Sequence, residues 1–229
     1  QNIAQVKTCK VSGKINNANT NIITVSIQPN LLVNSLFNAT DTLNADGSFE
    51  ISFQLAIAVP ATLTCGDKSL SLFLEPNDDV IVTVDNDDFD TSLTYTGKGG
   101  AKNTYLKDEM SAFRAANYED KTKIKTLDAS GYRQFVDELR REKTNFYKKY
   151  KAIKKTSGAF NDFVRINIDY PWASALLNYP VMNARYNRLK TEAELPPNYF
   201  DFVKELNFNN NDAMLISNYT VCLERYLAN

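Results

Sequence analysis

Four stretches of the sequence carry residue types that could do chemistry. The first, Tyr95–Leu106, reads YTGKGGAKNTYL, glycines beside lysines, the composition of a loop that wraps phosphate. A phosphate loop needs G-x-x-x-x-G-K-[ST], so that backbone N–H groups surround the phosphates and a hydroxyl reaches magnesium. Here Gly97, Gly99 and Gly100 stand too close together, and Lys102 is followed by Asn103, which has no hydroxyl. The dinucleotide fingerprint G-x-G-x-x-G fails at Lys102, where its third glycine belongs. The stretch reads as a flexible turn feeding a helix start, a joint between two pieces of protein.

The second set is the three cysteines, Cys9, Cys65 and Cys222. They contain no C-x-x-C pair and so form no thioredoxin-type redox site by themselves. Cys9 and Cys65 fall on inward positions of alternating segments. They are either buried, inert thiols or, in an oxidising compartment, a candidate disulfide. The third stretch, DNDDFD at residues 85–90, departs from a calcium loop. Counted from Asp85, Phe89 stands at position five, Asp90 where glycine is needed, and Thr96 where the bidentate Glu is needed. The fourth, residues 140–155, packs eight basic residues with three aromatics. Nucleic-acid binding is excluded, because the aromatics lie on the apolar stripe of a helix and the chain's pI is near 5.7. Histidine is absent, which removes imidazole ligands and every Ser-His-Asp scheme. No carboxylate spacing singles out a pair. The sequence therefore assigns this chain no catalytic residue, no metal ligand and no cofactor.

The elements that position these residues divide at the glycine joint. Residues 1–96 carry four Lys, no Arg and eleven acids, a net −7; residues 97–229 carry 22 basic and 16 acidic residues, a net +6. Before the joint the apolar period is two. Cys9, Val11 and Ile15 share one face, and Ile23, Val25 and Ile27 repeat the pattern. Asp46-Gly47 marks a hairpin turn before Phe49, Ile51 and Phe53, and Gly66-Asp67 marks a second hairpin. Val80, Val82 and Val84 follow. This predicts an antiparallel β-sandwich of about seven strands over 1–96. After the joint the period becomes helical, through Leu106, Met110 and Phe113, then Phe135, Leu139, Phe146, Tyr150 and Ile153 along a helix from about Tyr132 to Lys155. Further helices are expected at Phe160–Tyr179, kinked or restarted at Pro171, and at Asn198–Leu206 and Leu215–Leu227. The fold class is thus α+β by segregated modules, a sandwich followed by an all-α domain over 97–229. No run of about 18 apolar residues occurs, so no transmembrane helix is expected. Without an initiator Met at Gln1, the chain reads as processed, its signal peptide removed.

The segments LFLEPNDDVIVTVD, LTYTGKGGAKNTYL, IDYPWASALLNYP and NYTVCLERYL resemble, in that order, the N-terminal region of Bacteroidetes thioredoxin-like proteins of the thiol:disulfide interchange (TlpA/ResA-like) class. The resemblance spans about Val11 to Leu227 and is most specific over Thr96–Leu106. In that family a β-rich domain with an LEPGD turn leads through the TGKG joint to a helical region, then to a C-terminal thioredoxin domain bearing C-x-x-C. The LEPGD glycine is Asn77 here, a residue that tolerates the left-handed turn. The helical YEW becomes Tyr170-Pro171-Trp172. No family catalytic residue can be carried over, since the thioredoxin domain would start where the chain ends. The resemblance implies a periplasmic or cell-envelope protein, with a lipid anchor a candidate upstream of Gln1. It also implies a non-catalytic module whose partners are a C-terminal thioredoxin domain or envelope thiol proteins. The alternative is a stand-alone envelope protein that binds peptide or glycan through aromatics such as Tyr170, Trp172 and Tyr179.

Overall fold

The computed structural model describes residues 6–27 and 37–228; Gln1, ahead of which an anchor is expected, lies outside them. The chain is α+β, a strand-built region followed by a helical one. It divides into two compact units, Gln1–Ser111 and Ala112–Asn229. The glycine joint lies inside the first unit rather than at its end. Residues 97–111 bring three lysines and two acids with them, so the units carry −6 and +5.

The first unit contains β1 Lys7–Asn16, β2 Ile22–Ile27, β3 Phe37–Thr42, β4 Ser48–Leu55, β5 Val59–Cys65, β6 Lys68–Leu74 and β7 Asp79–Asp85. A 3-10 turn and the short helix α1 Phe89–Ser92 lead to β8 Thr94–Lys98 and α2 Gly100–Ala112. The strands form two four-stranded sheets, in the orders β4-β1-β7-β8 and β3-β2-β5-β6. Alternate residues are buried along them: Phe49, Ile51, Phe53 and Leu55 on β4, Val59, Ala61, Leu63 and Cys65 on β5, Val80, Val82 and Val84 on β7. One apolar face per sheet is what a sandwich buries.

Two features depart from the expected antiparallel arrangement. β1 pairs in parallel with β7, Val11 opposite Val80 and Ile15 opposite Val84, so the first sheet is mixed. The Asp46-Gly47 turn forms, with Gly47 at φ 81, but β3 before it and β4 after it belong to different sheets. Turn chemistry fixes a local reversal and leaves open which strands will pair. The Gly66-Asp67 hairpin does form, joining β5 to β6 with Cys65 opposite Lys68.

The second unit contains α3 Lys121–Thr126, α4 Ala129–Ile153, α5 Gly158–Asn187 and α6 Ser217–Ala228, with 3-10 segments at Tyr199–Glu205 and Asn211–Leu215. Asp120, Asp128 and Ser157 cap α3, α4 and α5, each side chain accepting the N–H three residues on. Of the kink or restart expected at Pro171, the restart does not occur: α5 runs through both Pro171 and Pro180. A helix-interior proline costs about 3 kcal/mol and orphans the carbonyl four residues back. For Pro180 that carbonyl belongs to Leu176, and it accepts the Tyr199 hydroxyl at 3.3 Å. Trp172, Leu176, Leu177 and Tyr179 are buried along the same helix. Burial of such side chains contributes about 1.5–3 kcal/mol each, which outweighs the prolines.

The edge strand β6 ends under α2, where Asn103 acts as a substitute neighbour. Its Oδ1 accepts from Phe73 N–H at 2.8 Å, and its Nδ2 donates to the Phe73 carbonyl at 3.3 Å and to the Gly99 carbonyl at 2.9 Å. Asn103 is fully buried, so no water can replace it. Asn103→Leu, similar in size, should destabilise the chain by about 1–3 kcal/mol for each backbone group left unpaired. The check is a lower urea midpoint at unchanged m-value.

Candidate functional site

The glycine–lysine stretch resolves into a buried ion cluster. Asn77 takes the left-handed conformation, at φ 68, and turns the chain so that Glu75 and Asp78 face α2. Lys102 Nζ lies 2.5 Å from Glu75 Oε2 and 2.6 Å from Asp78 Oδ2, over the Phe73 ring at 5.5 Å from its centroid. Asp78 Oδ2 also accepts the Glu75 N–H at 2.7 Å. Lys102 is 8% exposed and Asp78 5%. Burial pushes the Asp78 carboxyl above the usual carboxylate range, against the pull of Lys102 and of the Glu75 N–H. The glycines make room. A Cβ on Gly99 (φ +95) would stand 2.8 Å from the Asp78 carboxylate carbon, and one on Gly97 (φ +75) 2.2 Å from the Asp79 carbonyl oxygen. Both carboxylates hold the Lys102 ammonium, and the cluster ties the turn before β7 to the start of α2.

The cysteines are likewise interior. All three are free and buried, Cys9 on β1, Cys65 on β5 and Cys222 on α6. The candidate Cys9–Cys65 disulfide is therefore corrected to two free thiols. They belong to opposite sheets, Cys9 on β1 and Cys65 on β5, and no S–S bond joins them. Desolvation pushes Cys9 up to about 12, with Asp78 adding to it, and pushes Cys222 up to about 12; Cys65 is raised by the same cause.

The candidate binding aromatics are core residues too. Tyr170 is 6% exposed, Trp172 0% and Tyr179 1%. Their polar tips are taken: Tyr170 Oη donates to Asn207 O and Tyr179 Oη to Leu127 O, both at 2.7 Å, and Trp172 Nε1 donates to Asp137 Oδ1 at 2.6 Å. Amphipathic rings satisfy both ends in this way when buried. At residues 85–90, Asp85 Oδ1 accepts from Asn17 Nδ2 at 2.8 Å and from Asp87 N–H at 3.0 Å, so it caps a turn. Among the described residues no group of three or more Cys, Asp or Glu side chains could hold a metal ion, and no helix is long and apolar enough to cross a membrane.

Two openings of similar size remain among the described residues: one of about 770 Å³ on the first unit, lined by residues 15–21, 43–47 and Asp85, and a charged groove of about 780 Å³ on the second, along the seam of α4 and α5 from Arg133 to Lys151. The groove's arginines are paired. Arg140 bonds Asp169 at 2.8 Å and Glu205 at 3.0 Å, with its guanidinium 3.8 Å above the Trp172 ring centroid. Burial works against this charge, but the two carboxylates prevail and raise the Arg140 pKa. Arg133 bonds Asp137 at 2.9 Å and Arg165 bonds Asp162 at 3.2 Å. Lys148 and Lys151 line the groove, are exposed, and have no partner among the described residues. The groove depends on α5 folding back along α4, which the apolar period of either helix does not reveal.

A comparison of the chain with family models, curated proteins and solved structures finds no match. The arrangement itself separates a sealed polar cluster and sealed thiols from one open, charged groove. Lys102→Met should destabilise by about 3–5 kcal/mol, since the buried Asp78 and the half-buried Glu75 lose their cation. Chemical denaturation reads this directly, and Lys151→Met, exposed and unpaired, is the neutral control.

Proposed function

We propose that this chain is a non-catalytic, extracytoplasmic module that positions or selects substrates for a thioredoxin domain of a thiol:disulfide oxidoreductase. The observation that carries the reading is the state of the thiols. Thiol–disulfide chemistry needs an accessible thiolate. Each cysteine here is buried, with its pKa raised. At about pH 8 a thiol of pKa about 12 is ionised in roughly one molecule in ten thousand, against about a quarter for a free cysteine. A chain resembling the front half of a thiol oxidoreductase, with its own sulfurs silenced, contributes a surface and leaves the reaction to another domain. The stand-alone peptide- or glycan-binding alternative loses its aromatic candidates to the core and keeps only the groove.

Two measurements test the reading. Purified chain should reduce insulin with dithiothreitol no faster than the reagent alone. At about pH 8 the native chain should leave its thiols unmodified by an aromatic disulfide reagent, while denatured, unreduced chain titrates all three. Insulin turnover lost on replacing any one cysteine would overturn the proposal, and fewer than three thiols in denaturant would overturn the free-thiol assignment.

A further inference from the structure

The geometry points to an extended, acidic peptide segment as the ligand of the α4–α5 groove. This rests on the reading of the chain as a substrate-selecting module and names the chemistry that would be selected. Shape is the first ground. The groove has the volume of a ligand site, yet its lining runs from Arg133 to Lys151 along one helix, about 27 Å at the helical rise. A trench of that length suits a strand of about eight residues rather than a compact molecule.

Charge is the second ground. Six basic and four acidic residues line the groove. The acids Asp137, Asp162, Asp169 and Glu205 are each held by an arginine of the groove itself. The surplus is therefore Lys148 and Lys151, one helical turn apart on the same face, where no carboxylate among the described residues meets them. Nearby, Arg141 bonds only the exposed Glu138, at 2.8 Å, a contact that an incoming carboxylate can replace. Asn161 and Asp162, near the start of α5, line the same end of the groove. The Asp162 carboxylate also faces this end, with Arg165 neutralising it at 3.2 Å.

A nucleic-acid strand would ask for exposed rings between the cations. The rings here are engaged. Tyr147 donates to Asn161 Oδ1 at 2.5 Å and packs edge-on against Phe160, and Tyr147 and Tyr150 stack on one another. Cations without a stacking platform favour carboxylates on a peptide.

The test titrates the full chain into three fluorescein-labelled peptides of equal length, about eight residues to match the trench, built of Glu/Ser, Gly/Ser or Lys/Ser, and into a labelled oligothymidylate. Anisotropy should rise with the Glu/Ser peptide alone and weaken with added salt. Lys148→Glu together with Lys151→Glu should weaken binding by roughly tenfold or more, the scale of losing close charge pairs. Lys190→Glu, exposed and outside the groove, should leave it unchanged. The double variant should keep the wild-type urea midpoint, because neither lysine has a partner to lose. Equal binding of the Gly/Ser peptide, tighter binding of the oligonucleotide, or acidic binding that survives the double reversal overturns the inference. None of these bears on the insulin and thiol assays, so failure here and failure of the module reading are told apart.

Discussion

The first unit depends on one buried ammonium. Lys102 sits between Glu75 and Asp78, and its position ties the turn before β7 to the start of α2. Burying these charges costs several kcal/mol of desolvation, so the cluster is weak support for stability and stronger support for specificity. Only one placement of α2 puts a cation between both carboxylates. The same placement delivers Asn103 to Phe73, one residue along the helix and on the strand next to Glu75. A shift of α2 by one residue would leave two carboxylates without a cation and a strand edge without a partner. Gly97 and Gly99 belong to this constraint, because the chain must pass against Asp78 and Asp79 more closely than a Cβ allows.

This explains what YTGKGGAKNTYL contains. Glycines and a lysine also make phosphate loops, and composition alone cannot distinguish the two uses. The spacing excluded phosphate, but it could not show that Lys102 would point inward to two carboxylates some 25 residues upstream. A buried lysine is rare enough that the default reading places it in solvent. Both halves of the cluster stand in the sequence as LEPND and TGKGGAKN, but nothing in either shows that they touch. Asparagine's tolerance of the left-handed turn was legible, and Asn77 takes it at φ 68.

Elsewhere the legible features are those set by local period. β1, β2, β4 and β7 bury alternate apolar residues and were readable from that alternation, while β5 and β6 were readable from the Gly66-Asp67 turn between them. β3, FNATDT, buries no residue fully and so carries no apolar period. β8 has one buried residue, Tyr95, and its glycine and lysine content looks like loop. The parallel β1–β7 pair and the crossing of the Asp46-Gly47 turn between sheets are non-local choices, made by which apolar faces meet. In the second unit α4 was readable because one face is apolar and the other charged. No restart occurs at Pro171 because α5 is buried nearly all round, and packing on every side overrides a local defect.

Burial decides the chemistry as well as the fold. Tyr170, Trp172 and Tyr179 have the residue types of a binding surface, but each lies on α5, the helix around which the second unit packs. The only side chains left for a ligand are those the core cannot take, and on α4 these are the long cations. Arginine and lysine part company there. Arginine's planar fork can bind a carboxylate and stack on a ring at once, as Arg140 does with Asp169 and Trp172, so Arg140 is drawn into the structure. Lysine carries a compact, strongly hydrated charge. Lys148 and Lys151 stay exposed along the groove, without a partner among the described residues. A site formed by exclusion in this way reads charge along a chain and has no pocket in which to read a particular side chain, which suits broad selection of acidic segments better than recognition of one partner.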